Sequence, residues 1–209
     1  LVPVQIAQTT RDGAVANETA WNHELGARLQ VTPELLSSAT LFRIDYEDQI
    51  QFNSSTSRFE NLGETRHQGV ELSNRWALNS QWELGLGYTF LDTEQLTGDN
   101  EGNELPNAPT HKVSAEALYS YQAWDASLNW VYVSESYSDA DNTEQETSNV
   151  PSAVSPNYHP VTTKTARDFA VGAAPALYLS LAVNTLLDEA YYFTADAVRP
   201  LVHALPADR

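Results

Sequence analysis

The feature that most constrains this chain is a period of two. From Val70 to Leu78, apolar Val70, Leu72, Trp76 and Leu78 alternate with polar Glu71, Ser73 and Arg75. Successive side chains of a strand point to opposite faces, so this stretch has one apolar and one polar face. The alternation recurs. Trp21, His23, Leu25, Ala27 and Leu29 are interleaved with Asn22, Glu24, Gly26 and Arg28. Phe42, Ile44, Tyr46, Ile50 and Phe52 are interleaved with Arg43, Asp45, Glu47, Gln49 and Gln51. Further on, Trp82 to Phe90, Val113 to Tyr121 and Trp124 to Tyr132 repeat the pattern, with a weaker strand around Phe169 and Val171 and a last one from Leu177 to Val183. No stretch sustains a helical period. The expectation is an all-β chain of about eight strands, each of roughly the length a tilted membrane-spanning strand needs.

The connections add direction. They alternate short and long: a turn at Pro33, a polar loop, Asn79-Ser80, the acidic loop from Leu91 to Pro109, Gln122-Ala123, a loop from about Ser136 to Lys164, and a turn at Pro175. Tight turns at one end and long loops at the other describe an antiparallel up-and-down barrel wall. A Greek-key sandwich sends long links to both ends. Trp76, Trp82, Trp124 and Trp21 sit near strand ends, with Tyr88, Phe90, Tyr132 and Tyr137 toward the other, the arrangement of aromatic girdles at two membrane interfaces. Arg43, Asp45, Glu47, Glu71, Arg75, Glu83, Lys112, Glu116 and Asp125 are all expected on the polar face. A soluble β-sandwich binding module and a passive porin-type channel remain as alternatives.

Composition narrows the function classes. The chain carries 28 acidic against 11 basic residues, which argues against nucleic acid as a partner. It contains no cysteine, so disulfides and thiolate metal sites are excluded. The five histidines, His23, His67, His111, His159 and His203, are widely separated and lack paired-ligand spacing. Neither a nucleophile arrangement nor a phosphate-binding glycine loop is present, so no catalytic residue, cofactor or metal ligand is assigned. Asp92 to Glu104 and Asp139 to Glu146 are acidic but lack the ordered register of a calcium loop and read as solvated loops. The absence of methionine, even at the first position, suggests a piece of a longer protein.

Five strings in order, LFRIDYEDQIQFN, NLGETRHQGVEL, LGYTFLDTE with GNELPNAPTHKVS, WVYVSESYSDADNT and VNTLLDEAYY, resemble the C-terminal barrel region of TonB-dependent outer-membrane receptors. Among ferric-siderophore receptors they are most similar to the ferric-dicitrate type, from about Glu18 to Tyr192. The resemblance implies a wide barrel of the Gram-negative outer membrane, closed by an N-terminal plug that this chain lacks, with the TonB complex, a ferric-citrate-like chelate and outer-membrane lipid as partners. It implies binding and transport rather than chemistry on the substrate. Residues 1–193 would be barrel wall. Residues 194–209 depart from the family, ending without alternation or a terminal aromatic. After Phe52 the family places amide contacts to an anionic chelate, which makes Asn53 and Arg58 the ligand-facing candidates.

Overall fold

The computed structural model describes residues 15–53, 58–146, 153–169, 177–184 and 186. Its strands are β1 (Thr19–Thr32), β2 (Leu35–Glu47), β3 (Ile50–Asn53), β4 (Arg58–Asn61), β5 (Thr65–Ala77), β6 (Trp82–Gln95), β7 (His111–Tyr121), β8 (Trp124–Val133), β9 (Ser136–Tyr137), β10 (Val154–Ser155), β11 (Val161–Phe169) and β12 (Leu177–Val183). Eight of them form one sheet in the order β1-β2-β5-β6-β7-β8-β11-β12, with every neighbour antiparallel. The pairs β3–β4 and β9–β10 are small ladders within the long connections. No second sheet packs against the first among the described residues.

Residues directly opposite in an antiparallel pair project to the same side, so register assigns each face. One row runs Ala27, Ala39, Leu72, Tyr88, Val113, Tyr132 across six strands. Four residues lower, Leu35, Trp76, Leu84, Ala117 and Leu128 form another. The opposite face carries rows such as Thr40, Glu71, Thr89, Lys112 and Ser38, Ser73, Gly87, Ser114. On that polar face Arg75 pairs with Glu83 at 3.1 Å, and the Ser120 hydroxyl donates to Asp125 at 2.7 Å.

The apolar face is open. Leu25 is 72 % exposed, Leu181 65 % and Leu41 54 %, while the buried apolar residues among those described are only Leu105, Val133, Ala153 and Ala166. Water contact forfeits about 1.5–3 kcal/mol for each large apolar side chain that could have been buried. A face this rich in leucine and tryptophan is therefore built for an apolar surrounding. The polar pair inside it is self-satisfied, because the Ser37 hydroxyl donates to Asn74 Oδ1 at 2.6 Å.

The band has two edges. At the tight-turn end lie Trp76, Trp82, Tyr121 and Trp124, and Trp82 packs tilted against Tyr119 with centroids 4.7 Å apart, whereas Trp21, expected with them, stands opposite Asp45 at the long-loop end. Asn79 Oδ1 accepts from the backbone N–H groups of Gln81 and Trp82, closing one turn. Gln122, at φ 54°, takes the left-handed conformation that lets a two-residue turn close another. At the long-loop end the same face turns ionic: Asp45 accepts from Arg43 Nε and Arg66 Nε, each at 2.8 Å, and Gln68 donates to Asp92 at 2.8 Å.

That ionic rim corrects the sequence reading of β2. Arg43, Asp45 and Glu47 are expected on the polar face, yet all three share the side of Leu41 and Val70, with Arg43 opposite Gln68 and Asp45 opposite Arg66. Phe42, Ile44 and Tyr46 occupy the opposite side. The alternation of β2 changes phase at the band edge: Leu35, Ala39 and Leu41 are apolar at odd positions below it, Phe42, Ile44 and Tyr46 at even positions above. Phe42 is accommodated because Gly69 stands opposite; a Cβ there would overlap the Phe90 carbonyl and come within 2.8 Å of the Phe42 ring. Four boundaries also shift. Asp48, at φ 54°, breaks the run to Phe52 into β2 and β3. Strand β6 extends through Asp92 to Gln95 where loop was expected, β11 starts at Val161 rather than beyond Lys164, and Leu78 falls in the turn.

The face assignment is testable at neighbouring positions. Leu72→Arg is expected to destabilise the chain in lipid vesicles by about 2–4 kcal/mol and Ser73→Arg by little. On β2, Leu41→Arg is expected to cost more than Thr40→Arg. Urea titrations followed by tryptophan emission measure both pairs.

Candidate functional site

The long connections gather at one end of the sheet and are tied together. Asn61 Nδ2 donates to the carbonyl oxygens of Asp48 (2.7 Å) and Ala16 (3.2 Å), which anchors the β3–β4 ladder. Gln95 is 5 % exposed, and its Nε2 donates to the carbonyls of Leu62 and Thr97 at 3.1 and 3.0 Å. The Thr65 hydroxyl, fully buried, donates to Gln49 Oε1. These contacts couple the connection after β2 to the top of β6.

The next two connections are coupled through Asn142. Its Nδ2 donates to the Glu104 carbonyl and its Oδ1 accepts from the Glu104 N–H, both at 2.8 Å. Asn103 Nδ2 donates to the Ala140 carbonyl at 2.9 Å, and the Asn107 N–H to the Tyr137 carbonyl at 2.8 Å. Asn142 and Asn107 both take left-handed backbone, at φ 53° and 56°. Glu104, Glu135, Glu144, His111, Tyr132 and Tyr137 line a cleft of about 800 Å³ between these connections.

The electrostatics of this end are mixed. Arg43, hydrogen-bonded to Asp45 and helped by Arg66, holds that carboxyl below its ordinary value. Burial depresses the His67 imidazole, which packs edge-on to Tyr46 at 5.2 Å. Carboxylates dominate the cleft, so a polyanionic ligand would need arginine from elsewhere.

The structure places Asn53 and Arg58 opposite one another at the outer end of the β3–β4 ladder, and Arg58 is exposed. It does not bring the histidines together: His23 and His111 lie on the apolar face, His67 on the polar face, and His203 falls outside the described residues. Among the described residues no three of His, Cys, Asp and Glu could hold a metal ion. In the acidic loops Asp92 accepts from Gln68, and Asp139 Oδ1 accepts from the Thr143 N–H at 3.1 Å. Sequence reasoning missed Asn142 and Gln95, because amide clamps between loops distant in sequence have no local signature.

A polar-faced, apolar-backed antiparallel wall with tied loops at one end can be compared with known proteins. Residues 4–172 match the family described as TonB dependent receptor-like, beta-barrel. The chain belongs to this family. It is 26 % identical over 144 residues to a probable TonB-dependent siderophore receptor, PiuA, of Acinetobacter baumannii, covering 61 % of this chain and 19 % of that protein. It is 26 % identical over 128 residues to an iron-regulated outer membrane virulence protein of Vibrio cholerae, covering 54 % and 19 %. The chain thus spans about a fifth of these relatives. Among solved structures, the unliganded ferric citrate transporter FecA superposes with a TM-score of 0.72 at 27 % identity, covering 90 % of this chain and 29 % of that one. The copper transporter OprC, at 18 % identity and a TM-score of 0.64 over 85 % of this chain and 26 % of its own, shares the fold. The apolar face is therefore the membrane-facing side of a transmembrane β-barrel segment, and the polar face lines its lumen.

Removing the amide clamp tests the coupling of the loops. Asn142→Ala deletes both hydrogen bonds to Glu104, each worth about 1 kcal/mol, so amide exchange at Glu104 and Asn107 is expected to quicken about tenfold or more. Hydrogen-exchange mass spectrometry reads this directly, with the β7–β8 ladder as the unchanged reference.

Proposed function

We propose that this chain is the C-terminal part of the barrel of a TonB-dependent receptor in the outer membrane of a Gram-negative bacterium, importing ferric siderophores of the ferric-citrate kind. The observation that carries the reading is the superposition on the ferric citrate transporter over 90 % of the chain. The polar lumen wall supplies the water-filled side of the route, and the tied connections form its outer mouth. A plug and a TonB-contacting segment belong to other parts of the intact receptor. The chelate is bound and passed inward without a bond being made or broken. A citrate-type chelate is anionic, so Arg58 and the Asn53 amide at the exposed hairpin end are its first contacts, through charge-assisted hydrogen bonds.

Uptake of radioactive iron by cells expressing the intact receptor tests the proposal. Ferric citrate uptake is expected to stop when TonB is deleted; uptake that persists without TonB would assign a passive channel instead. Arg58→Ala is expected to weaken ferric citrate binding about tenfold, the loss of one charge-assisted contact. Unchanged binding would remove Arg58 from the site while leaving TonB dependence to decide the transport reading.

A further inference from the structure

Arg167 is out of place. It stands on the membrane-facing side of β11, opposite Trp124 of β8 and Leu179 of β12. Among the described residues, every other charged strand residue on that side lies at or above the ionic rim of Arg43, Asp45, Arg66, Asp92 and Glu94 at the long-loop end. Arg167 lies at the tight-turn end, where the neighbouring Asp168 N–H donates to the Ala123 carbonyl at 3.0 Å.

Its guanidinium is held between two rings. Cζ lies 4.7 Å from the Trp124 ring centroid and 4.8 Å from that of Phe169. Nε is enclosed and has no hydrogen-bond partner among the described residues. No carboxylate pairs with the group there either: the ion pairs on these residues join Arg43 and Arg66 to Asp45 and Arg75 to Glu83. An arginine stacked in this way is rigid, and the fork of N–H donors it keeps matches the oxygens of a phosphate.

The surroundings specify the occupant. Trp124 and Phe169 belong to the aromatic belt that sits at headgroup depth. Beside them, Leu177 stands opposite Phe169, and Leu179, Leu181 and Val183, 52, 65 and 39 % exposed on the same face, form an apolar strip running from the arginine toward the band centre. A cation at the belt with an apolar strip leading away from it complements an amphiphile carrying an anionic head. We propose that Arg167, clamped by Trp124 and Phe169, is a binding site for the headgroup phosphate of a glycerophospholipid whose acyl chains lie along β12. This site is independent of the transported ligand.

The test uses the full chain purified in dodecyl maltoside, a detergent without phosphate, titrated with dihexanoyl phosphatidylglycerol while tryptophan emission and lipid retention in native mass spectrometry are recorded. Arg167→Gln is expected to weaken retention about tenfold, as loss of a charge-assisted contact would. Arg167→Lys is expected to fall between, keeping charge but losing the planar fork. Trp124→Leu, which leaves the arginine in place, is expected to weaken retention by a smaller factor. Circular dichroism confirms that each variant keeps its strands. Equal retention by Arg167→Gln and the parent would overturn the proposal. So would equal retention of dihexanoyl glycerol, which lacks phosphate, or full displacement by millimolar inorganic phosphate, which would assign a free-anion site.

Discussion

The rest of the structure depends on the antiparallel backbone ladder. In hydrocarbon, an unpaired N–H or C=O costs several kcal/mol, so a wall that faces lipid must satisfy each one from a neighbouring strand. The eight-stranded sheet does this from β2 to β11, and the same ladder fixes the register that sorts leucine and tryptophan to one side and serine, threonine and charge to the other. β1 and β12 are its edges, and every residue of both strands is exposed. Edges of that kind need further strands beside them, as in a barrel of which this chain supplies a part.

How much of this was legible in the sequence follows from what each residue answers to. Strands β5, β7 and β8 were readable because lipid on one side and lumen on the other impose strict alternation across the band. β2 misled because its upper half leaves the band. There the outward side meets water and carries Arg43 and Asp45, while Phe42 and Tyr46 turn inward to Gly69 and His67. Period two survives at that boundary, but hydrophobicity no longer marks the same face. The break at Asp48 was not readable either, since a left-handed backbone at an aspartate depends on the loop around it.

The loops are the least legible part. Their order comes from single amides, Asn61, Gln95, Asn103 and Asn142, reaching carbonyls up to 45 residues away. Asn53 and Arg58 came from family resemblance, and the backbone pairing sets them side by side at a hairpin end. Structures named for ferric citrate, siderophores and copper share the wall.

The central claim, that register divides β2 and β5 between lipid and lumen, is most directly tested by cysteine scanning, which the absence of native cysteine makes clean. Single cysteines from Leu35 to Glu47 and from Thr65 to Ala77 would be labelled in membranes with a fluorophore and exposed to lipid-borne and aqueous quenchers. Lipid quenching is predicted at Leu35, Ala39, Leu41, Val70, Leu72 and Trp76, and aqueous quenching at Ser38, Thr40, Glu71 and Ser73, with Arg43 and Asp45 reached from water on the outer side. Uniform quenching along either strand, or lipid quenching at Thr40 and Glu71 in place of Leu41 and Leu72, would contradict the account.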